Sequence, residues 1–187
     1  MANKNAPFGL KPIGKVGQNR DNQGLSEYDI SASATAIYFQ DPVELAATGT
    51  ITVAAASDAL LGSLNGVFFT DASSSKPTFA NHLDASNTAT DIVGFVSDDP
   101  YERFEIQADG ATAAADVGLN ADIVYAAGSS PDYVSKVELQ TSDQKTGTAQ
   151  LRILGISKDP DNNTAGSANV NLVVLINEHQ LKATAGV

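Results

Sequence analysis

Apolar residues recur along this chain at every second position, in short runs cut by turn-forming residues. Tyr28 and Ile30, then Ile37 and Phe39, are spaced by two ahead of a break at Asp41-Pro42. Ile51 and Val53 repeat the spacing before Ser57-Asp58, and Phe104 and Ile106 repeat it before Asp109-Gly110. A period of two places such residues on one face of a pleated strand. Further strand candidates are Val67-Phe68-Phe69, DIVGFVS with Gly94 as a bulge or close backbone approach, ADIVYAAG, SKVELQT, AQLRILGIS and NVNLVVLINEH. About nine or ten short strands separated by Gly, Pro, Asn and Asp predict an all-β fold, a compact β-barrel or β-sandwich body. Two stretches could be short helix, and both could equally be loops. AASDALLGSL has Ser57 as an N-cap candidate and leucines at 60, 61 and 64, but Gly62 and Gly66 confine it to a turn or two; Thr112–Ala115 is the other.

The first 25 residues obey neither period. Pro7, Gly9, Pro12, Gly14, Gly17 and Gly24 break any regular element, so an extended arm is expected over 1–25 and a single β-rich body domain over 26–187. Phe8, Leu10, Ile13 and Val16 make the arm more apolar than a solvated tail requires, which suggests docking on another surface.

Composition adds a thin core: 42% of residues are hydrophobic, yet aromatics are 6% and Trp is absent. Without cysteine there are no disulfides, thiolate metal sites or cysteine nucleophiles. No apolar run nears the ~20 residues of a membrane-spanning helix, and the N-terminus lacks the apolar core of a secretory signal, so synthesis inside a cell is expected. The net charge of −11 argues against nucleic acid as partner. The charge is also uneven. Residues 1–25 carry Lys4, Lys11, Lys15 and Arg20 against Asp21, four against one, a net of +3; the rest carries seven basic and 21 acidic groups, a net of −14.

Candidate chemistry centres on DDPYERFEIQADG, where Asp98, Asp99, Glu102, Glu105 and Asp109 lie within 13 residues. Catalytic carboxylate pairs need one acid in an apolar pocket that raises its pKa. Alternation instead places Phe104 and Ile106 on one strand face, Arg103, Glu105 and Gln107 on the other, with Asp-Pro and Asp-Gly as flanking turns. The acids therefore read as a solvated strand face and its turns. DPDNNTAG at 159–166 lacks EF-hand spacing and reads as a polar hairpin loop. His82 and His179 are too few for zinc, and no G-x-S-x-G, P-loop or G-x-G-x-x-G occurs. No enzymatic activity and no cofactor are expected.

The opening ANKNAPFGLKPIG, followed in order by IYFQDPVEL, LLGSLNGVFFTD, VSDDPYERFEIQADG, VGLNADI, AQLRILGI and VVLINEHQ, resembles the capsid decoration, or cement, proteins of tailed bacteriophages over most of the chain. The resemblance implies a virion structural protein on the outer surface of the capsid, made in the host cytoplasm, that stabilises the expanded head. Its partners would be the major capsid protein and further copies of itself, as a homotrimer, with no nucleic acid and no membrane. The arm would then be the clasp, through Lys4, Phe8, Leu10, Lys11, Pro12, Ile13, Lys15, Val16 and Arg20. Alternatives are another virion component, a head-fibre base or tail protein, and a glycan-active enzyme using the acidic strand.

Overall fold

The computed structural model describes residues 2–17, 24–32 and 34–182. The strands in chain order are β1 (Lys11–Lys15), β2 (Ser26–Asp29), β3 (Pro42–Leu45), β4 (Ile51–Val53), β5 (Gly62–Thr70), β6 (Pro77–Ala80) and β7 (Val93–Ser97). They continue as β8 (Glu102–Gln107), β9 (Asn120–Ala121), β10 (Ile123–Val124), β11 (Glu138–Leu139), β12 (Leu151–Ile156) and β13 (Asn171–Ile176). Helix is limited, among the described residues, to single 3-10 turns at Ala114–Asp116, Thr141–Asp143 and Gln180–Lys182. The protein is all-β, with every strand pair antiparallel.

One sheet has the order β1-β8-β13-β12-β9; the other runs β2-β7-β5-β3-β4, with β6 also on β5. Each curls around its own core. In the first, Phe104 and Ile106 of β8 meet Leu151, Ile153, Leu172 and Val174 from β12 and β13. The two-stranded β10-β11 sheet touches this layer through an Ala108–Leu139 bridge. In the second, Ile51, Leu64, Val67 and Val96 enclose the interior, and an isolated Ile30–Ile51 bridge draws the two ends of the sheet together without closing a barrel. Gly94 belongs here for a reason of space. A Cβ at 94 would lie 2.8 Å from Ile51 Cδ1 and 3.0 Å from Ile30 Cδ1, so the curl requires the bare backbone that the sequence flags.

Long polar side chains tie the two sheets together. Gln180 closes a two-bond clamp on the backbone of Leu45, accepting from its N–H at 2.7 Å and donating to its carbonyl at 3.0 Å. Gln150 is fully buried and fully used, donating to the Ala55 and Asp58 carbonyls and accepting from the Ile123 N–H. Burying an amide is tolerable only when each of its groups is paired, as here.

One choice that the sequence leaves open is decided, and one element is added. The leucine-rich stretch is no helix: Ser57 adopts φ +68, and β5 begins at Gly62, so Leu60, Leu61 and Leu64 enter the interior from extended backbone. The N-terminal segment contains a strand the period missed. β1 pairs with β8, but a bulge between Pro12 and Gly14 shifts its register, which erases the alternation on which a period-two reading depends.

Candidate functional site

The N-terminal segment is the place where sequence reasoning located binding, and its geometry can be built residue by residue. Asn3 is buried and donates to the carbonyls of Thr164 and Ala168 at 3.2 and 3.0 Å. The Lys4 N–H donates to Asn162 Oδ1 at 2.8 Å, and the Lys4 carbonyl accepts from Asn162 Nδ2 and Gln107 Nε2. Gln107 also accepts from the Ala6 N–H at 2.9 Å, so one buried amide completes two backbone groups two residues apart. Gly9 follows with φ +75, and a Cβ there would overlap the Gln40 carbonyl oxygen. The backbone then swings Leu10 into the core at 0% exposure, its N–H on the Gln40 carbonyl and its carbonyl accepting from Ser63 Oγ at 2.5 Å.

The basic residues meet acids of the same chain. Lys4 pairs with Asp161 at 2.7 Å, Lys11 with Glu105 at 3.3 Å and Lys15 with Asp99 at 2.6 Å. The last contact raises the Lys15 pKa and lowers that of Asp99, each through its hydrogen bond with the other. The charge asymmetry legible in the sequence is thus largely closed within the molecule. Phe8 and Pro12 are half-buried, and Lys11 Nζ lies 5.9 Å from the Phe8 ring centre. Ile13 and Val16 face outward at 37% and 46% exposure, and Arg20 lies outside the described residues. Of the nine arm residues, Leu10 is therefore committed to the chain's own core, while Lys4, Lys11, Ile13 and Val16 remain open to a partner.

The carboxylates of 98–109 do not converge on a common point; each has different partners. Asp98 accepts from Ser26 Oγ and the Tyr28 hydroxyl, and Asp99 from the Tyr101 N–H as well as Lys15. Glu102 accepts from the Gly14 N–H, Glu105 from Lys11 and Ser157, and Asp109 from the Thr141 N–H and hydroxyl. The expected solvated face of β8 is a correction to make: Glu105 and Gln107 are buried as well as Phe104 and Ile106, because the N-terminal segment lies across them. Among the described residues no group of three or more His, Asp or Glu is placed to hold a metal. His179 is buried at the end of β13, with Nδ1 accepting the Leu181 N–H, and desolvation pushes its pKa down to about 4. His82 stacks on Tyr133 with ring centres 3.8 Å apart.

Comparison with known proteins adds no relative. No protein-family model, curated protein or solved structure matches the chain.

What remains at the surface is contact chemistry. Val16 donates its N–H to the Tyr101 carbonyl, the Tyr101 ring is 60% exposed, and Lys182 Nζ caps that ring at 4.6 Å. Val16, Tyr101 and Lys182 thus form a mixed apolar and basic ridge, and Ile13 is exposed on the same N-terminal segment. A separate apolar surface lies on the outer side of the six-stranded sheet. There Phe79 packs against Phe68 and Phe95 with ring centres 4.8 and 6.0 Å apart. Sequence reasoning missed the amides that hold the segment, Gln107, Asn162 and Asn171. For Gln107 and Asn171 the available signal was an uncharged amide at a strand position flanked by apolar residues, where burial demands a partner; Asn162, in a polar loop, carried none.

Proposed function

We propose that this chain is a non-enzymatic virion structural protein, a decoration protein that binds the outer surface of a phage head and bridges major capsid protein subunits. The observation that carries the reading is the exposed ridge of Val16 and Tyr101, with Ile13 exposed on the adjoining strand β1, on a segment that is itself fixed to the body by side-chain amides and ion pairs. A rigid ridge loses little conformational freedom on docking, so modest apolar burial yields net affinity. Repetition over a lattice multiplies it. The resemblance over IYFQDPVEL, VSDDPYERFEIQADG and VVLINEHQ supports the same assignment, and the acidic body suits a role without nucleic acid.

The test is co-sedimentation with purified expanded heads of the parent phage. Removing residues 1–20 would withdraw Leu10 from the core, so the informative variant is Ile13→Asp with Val16→Asp, which touches exposed side chains alone. Wild-type protein should bind the heads and the double variant should lose binding at least tenfold. Wild-type protein that stays in the supernatant overturns the decoration reading; equal binding of both proteins overturns the ridge. Imaging intact particles separates the shell from a fibre base or tail.

A further inference from the structure

Five sheet edges are available in the two large sheets, and four of them are guarded. β1 carries Lys11 and Lys15, and β2 carries Glu27 and Asp29. β4 is approached by Ile30, and β9 is covered by Lys145, which exchanges two backbone bonds of 2.8 Å with Asn120. Charged or covered edges are how soluble β-proteins avoid pairing with other chains. Among the described residues β6, with the sequence PTFA, has no charge and pairs on one side alone, with β5; its Pro77 lacks an N–H but leaves that of Phe79 in place.

The hydrogen-bond alternation shows what β6 presents. In the β5–β6 hairpin the Asp71 N–H bonds the Lys76 carbonyl, so with the register Phe69–Thr78 and Val67–Ala80 the even residues of β6 bond to β5. The odd residues point the other way. Leu83 shows this directly, exchanging bonds of 2.8 and 3.0 Å with Ile37 on the outer side. The N–H and carbonyl of Phe79 therefore face out from the sheet edge, and its ring is 73% exposed. Beside it runs an open groove of about 460 Å³ lined by Leu25, Asn65, Phe79, Asn81 and Phe95, among others, with no charged residue among the described lining.

We propose that β6 pairs antiparallel with β6 of a second copy, extending the six-stranded sheet across a two-fold axis. A strand offering one donor and one acceptor from the same outward residue is its own complement when turned about a two-fold, which is the requirement for an isologous contact. Charge selects the same place. Chains of net charge −11 repel one another over most of their surface, and the uncharged groove is where two of them can approach. The pairing also joins the Phe68–Phe79–Phe95 faces of both copies into one apolar layer. It differs from the three-fold association that the sequence resemblance implies, and it stands independently of the head-binding assignment.

Sedimentation velocity of the full chain, from low to high micromolar concentration, reads the outcome without any phage component. A species of twice the 19.3 kDa chain mass is expected. Phe79→Pro removes the outward N–H while leaving the bonds to β5 intact, and should weaken the dimer at least tenfold; Phe79→Lys should do the same by charge, should the proline disturb the strand. Because the chain has no cysteine, a Thr78→Cys chain mixed with an Ala80→Cys chain places two thiols opposite each other beside the Phe79–Phe79 pair, and the mixture should form an intermolecular disulfide on mild oxidation. A monomer or a trimer at all concentrations overturns the proposal, as does a dimer unaffected by both Phe79 variants. A monomer whose head binding depends on Phe79 assigns the face to the shell instead, and likewise overturns it.

Discussion

Asp41 is buried at 0% exposure where Gln40, Ser63 and the incoming Leu10 meet, and replacing it with asparagine should change how stability depends on pH. Its Oδ2 accepts the Tyr38 N–H at 2.8 Å, while Oδ1 has no hydrogen-bond partner among the described residues. Burial raises its pKa from 3.8 to about 6, and the nearby Ser135 hydroxyl and the Tyr38 N–H pull it back in part. A raised folded-state pKa means that the folded state prefers the protonated acid. Ionisation then costs nothing below the unfolded pKa, and the cost grows across the interval from 3.8 to about 6 and is complete above it. Two pKa units correspond to about 3 kcal/mol. The amide of the Asp41→Asn variant cannot ionise, so the stability difference between variant and wild type should move in the variant's favour by about 3 kcal/mol between acid and mildly alkaline solution. Any fixed cost of the amide cancels in that double difference. Urea denaturation followed by circular dichroism at pH 3 and pH 8 measures it. Curves for wild type and Asp41→Asn that shift in parallel would refute the account, as would a variant losing ground as pH rises.

Two further predictions test how the fold is held. Leu10→Ala should destabilise the protein by about 2–4 kcal/mol, as expected for a buried leucine, whereas Ile13→Ala three residues on should stay within about 0.5 kcal/mol; thermal melting of both variants checks this. Gly62→Ala should prevent folding to soluble protein, since its Cβ would overlap the Ser97 carbonyl oxygen, a backbone atom with nowhere to go; recovery of a folded protein with native circular dichroism would count against the packing described.

The all-β class was readable because burial on one face writes a period of two into the sequence, as at Phe104 and Ile106. β1 was not readable, since its bulge and the prolines and glycines around it break that period while leaving the pairing with β8 intact. The burial of Glu105 and Gln107 was hidden for a related reason. Polar residues on a strand look solvated until the segment that covers them is known, and that segment comes from residues 94 and more positions away. The basic N-terminus was visible as charge, but charge alone does not say whether its counterions belong to a partner or to the same chain. The free edge at β6 needed the sheet order, which no local pattern contains.

The anchoring of Asn3 has a consequence for the order of events during synthesis. Its partners, the carbonyls of Thr164 and Ala168, lie 161 and 165 residues further along the chain. Residues made early are thus among the last to find their places, and β8 must wait uncovered in the meantime. Closure of so long a loop is slow, and the exposed intermediate is the species prone to association. Completion of the fold therefore waits until residue 168 has been made, and an N-terminal fusion that delays Asn3 should lower the soluble yield more than the same fusion at the other end.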